Sequence, residues 1–190
     1  MKGREKQIEG QRDLIRELTS KGVVFDKGLS QVEIEEIEKR YNIHFPSELL
    51  GLYTIALPIS CGFYNWRDAS KDNIRDIKDS LIRPIKDLLE YPGDIDWSNN
   101  WGQEPDNEEE REKAILNKIQ YAPQMIPIYG HRYMAEGKKE ENPVFSIHDS
   151  DIICYGKNLF TYLRTEFGII ERPQITLDEL TYIPFWSDFL

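Results

Sequence analysis

A chain of 190 residues is long enough for one domain with a sizeable core, since folding at this length hides roughly 70% of the surface that the unfolded chain exposes. Its 39% hydrophobic and 12% aromatic content excludes disorder along the whole length. With 34 acidic against 24 basic residues and a formal net charge of −10, it lacks the basic footprint that nucleic acids and anionic membranes require. A basic protein surface or a cation suits this field, and so does solubility alone.

Residues 5–21 read as an amphipathic helix, with Ile8, Gln11, Ile15 and Leu18 on one stripe and Gly22 as its stop. Val23-Val24-Phe25 is a short apolar link or strand. Ser30 and Glu33 form a capping box, and Ile34, Ile37 and Tyr41 follow at helical spacing. A second helix begins near Pro46 and is apolar on most sides through Ala56. Phe63-Tyr64-Asn65-Trp66-Arg67 alternates as a strand would. Residues 74–90 predict two short helical segments divided at Pro84. Residues 91–106 are fragmented by proline, glycine and asparagine, yet hold Trp97 and Trp101. Helix returns from Glu108 to Ile119 with acidic residues at its start, where the dipole favours them.

The second half is richer in strands. Met125 to Tyr129 and His131 to Met134 read as two strands, followed by a charged turn over 136–141. Residues 142–148 and 151–155 make the clearest hairpin, turning at Asp149-Ser150. Asn158 caps a helix to Phe167, and Thr176 with Glu179 resembles a second capping box. Ile183, Phe185, Trp186 and Phe189 are too apolar for solvent, so the tail is expected to dock. The order lacks βαβ alternation and predicts an α+β domain with a single, mostly antiparallel sheet and flanking helices.

Three stretches give the chain a family likeness: Leu29-Ser30 through Phe45-Pro46-Ser47-Glu48-Leu49; Ile126 through Met134; and Asn142 through Gly156 with Asn158-Leu159. On these it resembles the SUKH superfamily, which includes a yeast regulator of cell-wall glucan synthesis. Trp101-Gly102 and Pro105 before the acidic helix, and Phe185-Trp186 in the tail, resemble its bacterial branch. The resemblance implies one domain over residues 1–190, with a core at about 29–163, an N-terminal helix and a docked tail. It implies a binding module without a catalytic residue set. Many bacterial members resemble immunity proteins that neutralise polymorphic toxins.

The residues themselves offer little chemistry. His131, His148, Asp149 and Asp151 lie close in sequence, but no HxH, HExxH or calcium-loop pattern occurs, and the aspartates suit a turn equally well. Cys61 and Cys154 form no CxxC pair; both lie in apolar stretches and read as buried, reduced thiols, although a disulfide between them stays open. No glycine-rich phosphate loop appears. Residues 1–10 lack the apolar region of a signal peptide, and no run approaches the ~20 apolar residues of a membrane span, so a cytoplasmic protein is expected.

The expected function is therefore stoichiometric protein binding without cofactor or metal, directed at a toxin domain with a basic surface. The candidate contacts are Tyr64, Trp66, Trp97, Trp101, Glu104, Asp106 and His131. Acidic residues would steer the encounter and aromatic residues would anchor it, although a loop tryptophan can equally plug its own core. A regulatory scaffold linked to cell-wall synthesis is the alternative. A metal-dependent hydrolase using His131, His148 and Asp151 is the second. The oligomeric state is open.

Overall fold

A computed structural model of the protein describes residues 2–90, 92–137 and 141–190. Residues 138–140 of the expected charged turn, and Tyr91 at the head of the irregular segment, lie outside the described residues.

Helix α1 (Lys2–Ser20) contributes Leu14 and Leu18, both fully buried. A short strand, β1 (Phe25–Lys27), follows. Helix α2 (Gln31–Tyr41) carries both arms of the capping box: Ser30 Oγ accepts from the Glu33 amide, and Glu33 Oε2 accepts from the Ser30 amide at 2.8 Å. Asn42 ends α2 in the left-handed conformation, which asparagine tolerates. Helix α3 (Ser47–Ile55) starts after Pro46 and runs directly into β2 (Ala56–Pro58), which pairs antiparallel with β1. Gly28 lets this pair pass close to α3, because a Cβ there would lie 2.1 Å from the Thr54 carbonyl oxygen. The structure thus holds a two-stranded sheet beyond the single sheet expected.

Helix α4 (Lys71–Glu90) is continuous where two segments were expected. Pro84 removes one backbone bond, a cost of ~3 kcal/mol in a free helix. Here the buried stripe of Ile77, Leu81, Pro84 and Leu88 packs the helix against the body of the protein and offsets that loss. Helix α5 (Glu108–Ile119) precedes four strands: β3 (Met125–Tyr129), β4 (Arg132–Ala135), β5 (Val144–His148) and β6 (Asp151–Gly156). They form an antiparallel sheet in the order β3-β4-β5-β6. Helix α6 (Leu159–Glu166) is capped by Asn158, whose Oδ1 accepts from the Thr161 amide at 2.8 Å. The fold is α+β.

Side chains alternate across the sheet and separate two cores. Ile126, Ile128, Met134 and Val144 face α1, α3, α6 and Trp66. Met125, Tyr133, Phe145, Ile147 and Ile152 face Leu88, Ile115, Ile119 and the docked tail residues Ile183, Phe185 and Trp186.

Three local expectations are corrected. Residues 63–67 form no strand beyond one bridge between Phe63 and Tyr129; three of their amides bond locally instead, Phe63 to the Ser60 carbonyl, Trp66 to the Tyr64 carbonyl and Arg67 to the Asn65 side chain. Thr176 makes no side-chain cap, and only a 3₁₀ turn forms at Leu177–Glu179. Cys61 is exposed and Cys154 is half-buried, with both thiols free, because Cys61 sits in a turn rather than a packed element. Burial still pushes the Cys154 thiol above its ordinary pKa. No helix of the described residues is long and apolar enough to cross a membrane.

Candidate protein-binding face

The residues from 94 to 112 carry eight acidic side chains and one basic one, Arg111, and so hold seven of the ten net negative charges of the chain. Apart from 3₁₀ turns, the last at Asn99–Trp101, the backbone is irregular up to Asn107, which caps α5 by accepting from the Glu110 amide at 3.1 Å. Arg111 holds the segment in place. It donates to the carbonyl oxygens of Ile95 at 2.5 Å and Gly93 at 3.3 Å, and its Nε meets Glu104 Oε1 at 2.5 Å. The single cation of the segment is thereby turned inward, while Asp106, Glu108, Glu109, Glu110 and Glu112 remain exposed. Lys113, just beyond, pairs with Glu109 at 2.7 Å.

The two tryptophans of this segment clasp the tail. Trp97 Nε1 donates to the Gly102 carbonyl at 2.9 Å. Trp101 meets Trp97 edge-on, stacks on Phe185 with ring centroids 5.9 Å apart, and meets Phe189 edge-on. Lys118 lies 5.4 Å from the Trp101 ring. Asp188 completes the clasp: its Oδ2 accepts from Trp101 Nε1 at 2.7 Å, and its Oδ1 accepts from Asn100 at 3.0 Å and from the Tyr182 hydroxyl at 2.8 Å. Burial, then the Asp188 carboxylate, pushes the Tyr182 hydroxyl above its ordinary pKa.

Beside the clasp opens a polar cleft of about 590 Å³. Asp96 and Trp97 form one wall, Asp188 and Phe189 another, and Asp151, Ile152 and Ile153 of β6 the third. Among the described residues no cation pairs with Asp96, Asp151 or Asp188. An arrangement of this kind holds a positively charged side chain well, because low-dielectric walls focus the field of the carboxylates. An apolar groove of about 710 Å³ lies elsewhere, between α4 and the start of β3, lined by Ile82, Ile85, Leu89, Ala122 and Met125.

The expected contact residues fall into three places. Trp97, Trp101, Glu104 and Asp106 lie together on the acidic segment. Tyr64 reaches the turn between β3 and β4 that carries His131, where its hydroxyl donates to the Gly130 carbonyl at 2.7 Å. Trp66 is fully buried, so its expected role as a partner contact is corrected to that of a core residue. Trp101 is engaged on several sides within the chain and acts there as a plug.

His131 and His148 stand edge-on, 5.9 Å apart, and the left-handed Asp149 swings its carboxylate to 3.1 Å from His148 Nδ1. Partial burial, followed by the charges of Arg132 and His148, holds His131 below its ordinary pKa. Asp151 instead lines the cleft. Among the described residues no group of three or more histidine, cysteine, aspartate or glutamate side chains is placed to hold a metal ion.

Sequence reasoning missed Asp96, Asp188 and Arg111. Asp188 lies 87 residues from its tryptophan partner, and no local spacing announces such a contact. The charge imbalance of residues 94–112 was visible, but not that Arg111 turns inward. No family model, curated protein or solved structure matches the chain.

Proposed function

We propose that this protein is a cytoplasmic, non-enzymatic binding module of the SUKH type, an immunity protein that neutralises a polymorphic bacterial toxin by covering its basic surface one to one. One observation carries the reading: eight acidic residues against a single, internally bonded arginine over residues 94–112, fixed to α5 and the tail. A charged face held rigid loses little conformational freedom on binding, and a concentration of negative charge accelerates encounter with a basic partner. The negative net charge of the whole chain acts in the same direction.

Co-expression with the toxin domain encoded beside it tests this function. Restored growth, together with a one-to-one complex, is the expected result. Absence of rescue and of complex with every neighbouring toxin overturns it. Reversal of Glu108, Glu109 and Glu110 to lysine is expected to slow association by about tenfold or more at low salt, with far less effect at high salt.

A further inference from the structure

Helix α4 carries two apolar stripes. Ile77, Leu81, Pro84 and Leu88 form the first and are buried against the body of the protein. Ile82, Ile85 and Leu89 form the second, at i, i+3 and i+7, about 100° farther round the helix. This one faces outward: Ile82 is 55% and Leu89 45% exposed, and Ile85 is half-buried. Ala122 and Met125 stand across the groove from it, and Tyr121, next to Ala122, is 82% exposed. An exposed apolar residue standing alone is ordinary, but a stripe facing an apolar wall marks an interaction site. The backbone of α4 satisfies its polar groups almost wholly within the helix, so the groove offers a partner side chains rather than an edge. The groove ends against the acidic segment. Glu90 lines it, and Gly93 follows three residues on, at most about 11 Å along the chain. Arg111 bonds the Gly93 carbonyl at 3.3 Å, which brings the first turn of α5, with Glu108, Glu109 and Glu110, to that end. An apolar floor with a charged rim is the anatomy of a protein interface, in which the centre anchors and the rim steers.

Resting on the binding role proposed above, we infer that this groove seats an amphipathic helix of the partner protein, with its apolar stripe inward and its basic residues turned to the acidic end. The exposed stripe of α4 is a ridge at the spacing along which a second helix packs. A partner helix of 14 residues spans about 21 Å, enough to cover Ile82 and Leu89 and reach toward the acidic rim. A second copy of this chain fits worse, because each copy carries a net charge of −10 and the rim is already acidic.

The probe is a 14-residue helical peptide of leucine, lysine and alanine, with its leucines at i, i+3, i+4 and i+7. A relative replaces the leucines by alanine and keeps every lysine, so charge and helix remain and the apolar bulk is lost. Binding is followed by amide shifts of the full-length protein. The leucine peptide is expected to shift Ile82, Ile85, Leu89 and Ala122, and its relative to bind about tenfold or more weakly. Ile82→Gln with Leu89→Gln, both at exposed positions where glutamine keeps the helix, is expected to weaken the leucine peptide by a similar factor. Amide positions of the variant that stay unchanged outside α4 show that its fold is kept. Equal binding of the two peptides, or of the leucine peptide to parent and variant, overturns the helix seat. Shifts confined to Glu108–Glu110 also overturn it while leaving the toxin-binding role standing. A dimer of the protein alone that the double variant dissolves gives the groove to a second copy and overturns it as well. An absence of binding overturns the helix seat, and the co-expression result then decides the broader role separately.

Discussion

On one face of the sheet, Trp66 is enclosed by rings: Tyr41 at 5.5 Å and Phe45 at 5.0 Å, both edge-on, with the stripes of α1, α3 and α6 around them. On the other face, Trp186 and Trp101 sit in short 3₁₀ turns of a loop and the tail, where directional bonds add to their ring contacts. Trp186 Nε1 donates to the Pro123 carbonyl at 2.8 Å, Trp101 to Asp188, and Arg111 to Ile95. The first core rests on buried apolar area contributed by helices that supply their own backbone bonds. The second rests on polar contacts that fasten a loop and a tail over an apolar floor. Phe185 sits there at φ +69°, a strained γ-turn closed by the Trp186 amide on the Pro184 carbonyl. The difference teaches where the protein can open: loss of one bond in the second core frees a segment, whereas loss of a ring in the first loosens the whole.

Trp66→Ala is the largest test of that contrast. The expected cost is about 3–5 kcal/mol of global stability, read by urea unfolding, because the cavity is ringed by helices that cannot all follow. Asp188→Ala ranks next. It leaves Trp101 Nε1, Asn100 and Tyr182 without their carboxylate, and a loss of about 1–3 kcal/mol is expected. Hydrogen exchange is expected to rise selectively over residues 182–190 and 97–102, with the α2 and α3 amides unchanged. Uniform acceleration across the molecule would show that the two cores unfold as one unit.

The same contrast explains what was legible beforehand. Elements of the first core announce themselves locally: Ser30 with Glu33, the stripe of Ile34, Ile37 and Tyr41, and the apolar run after Pro46 are all patterns within a dozen residues. The hairpin at Asp149-Ser150 is equally local, and the apolar tail signalled its own docking. The corrected elements depend on distant partners. Residues 63–67 had the composition of a strand, but Arg67 anchors them elsewhere: Nε meets Glu33 at 2.7 Å, and Nη1 and Nη2 donate to the Lys27 and Gly28 carbonyls at 3.0 Å. Pro84 predicted a break that tertiary burial overrode. The acidic cleft joins residues near 96, 151 and 188, and no window of sequence contains all three.

The smallest effect is expected at the Arg67 anchor, where acid tests one ion pair of the first core. The Arg67 guanidinium, followed by the Ser30 amide and hydroxyl, lowers the Glu33 carboxyl to about 2 from an ordinary 4.5. The Lys27 amide first, and Arg67 after it, draws Asp26 down as well. A carboxyl that is more acidic in the folded state contributes stability that is complete above its unfolded pKa and is lost as pH falls toward the folded one. The window for Glu33 therefore runs from about 4.5 down to about 2. Glu33→Gln keeps one acceptor oxygen for the capping box and removes the charge together with the second acceptor that faces Arg67. Because Glu33 remains about a third exposed, solvent screens the pair, and a loss of about 1 kcal/mol or less is expected at neutral pH. The telling readout is the slope: unfolding free energy of the variant is expected to fall less steeply with acid across that window, with Asp26 supplying the remainder. An unchanged slope would place the acid sensitivity outside this anchor.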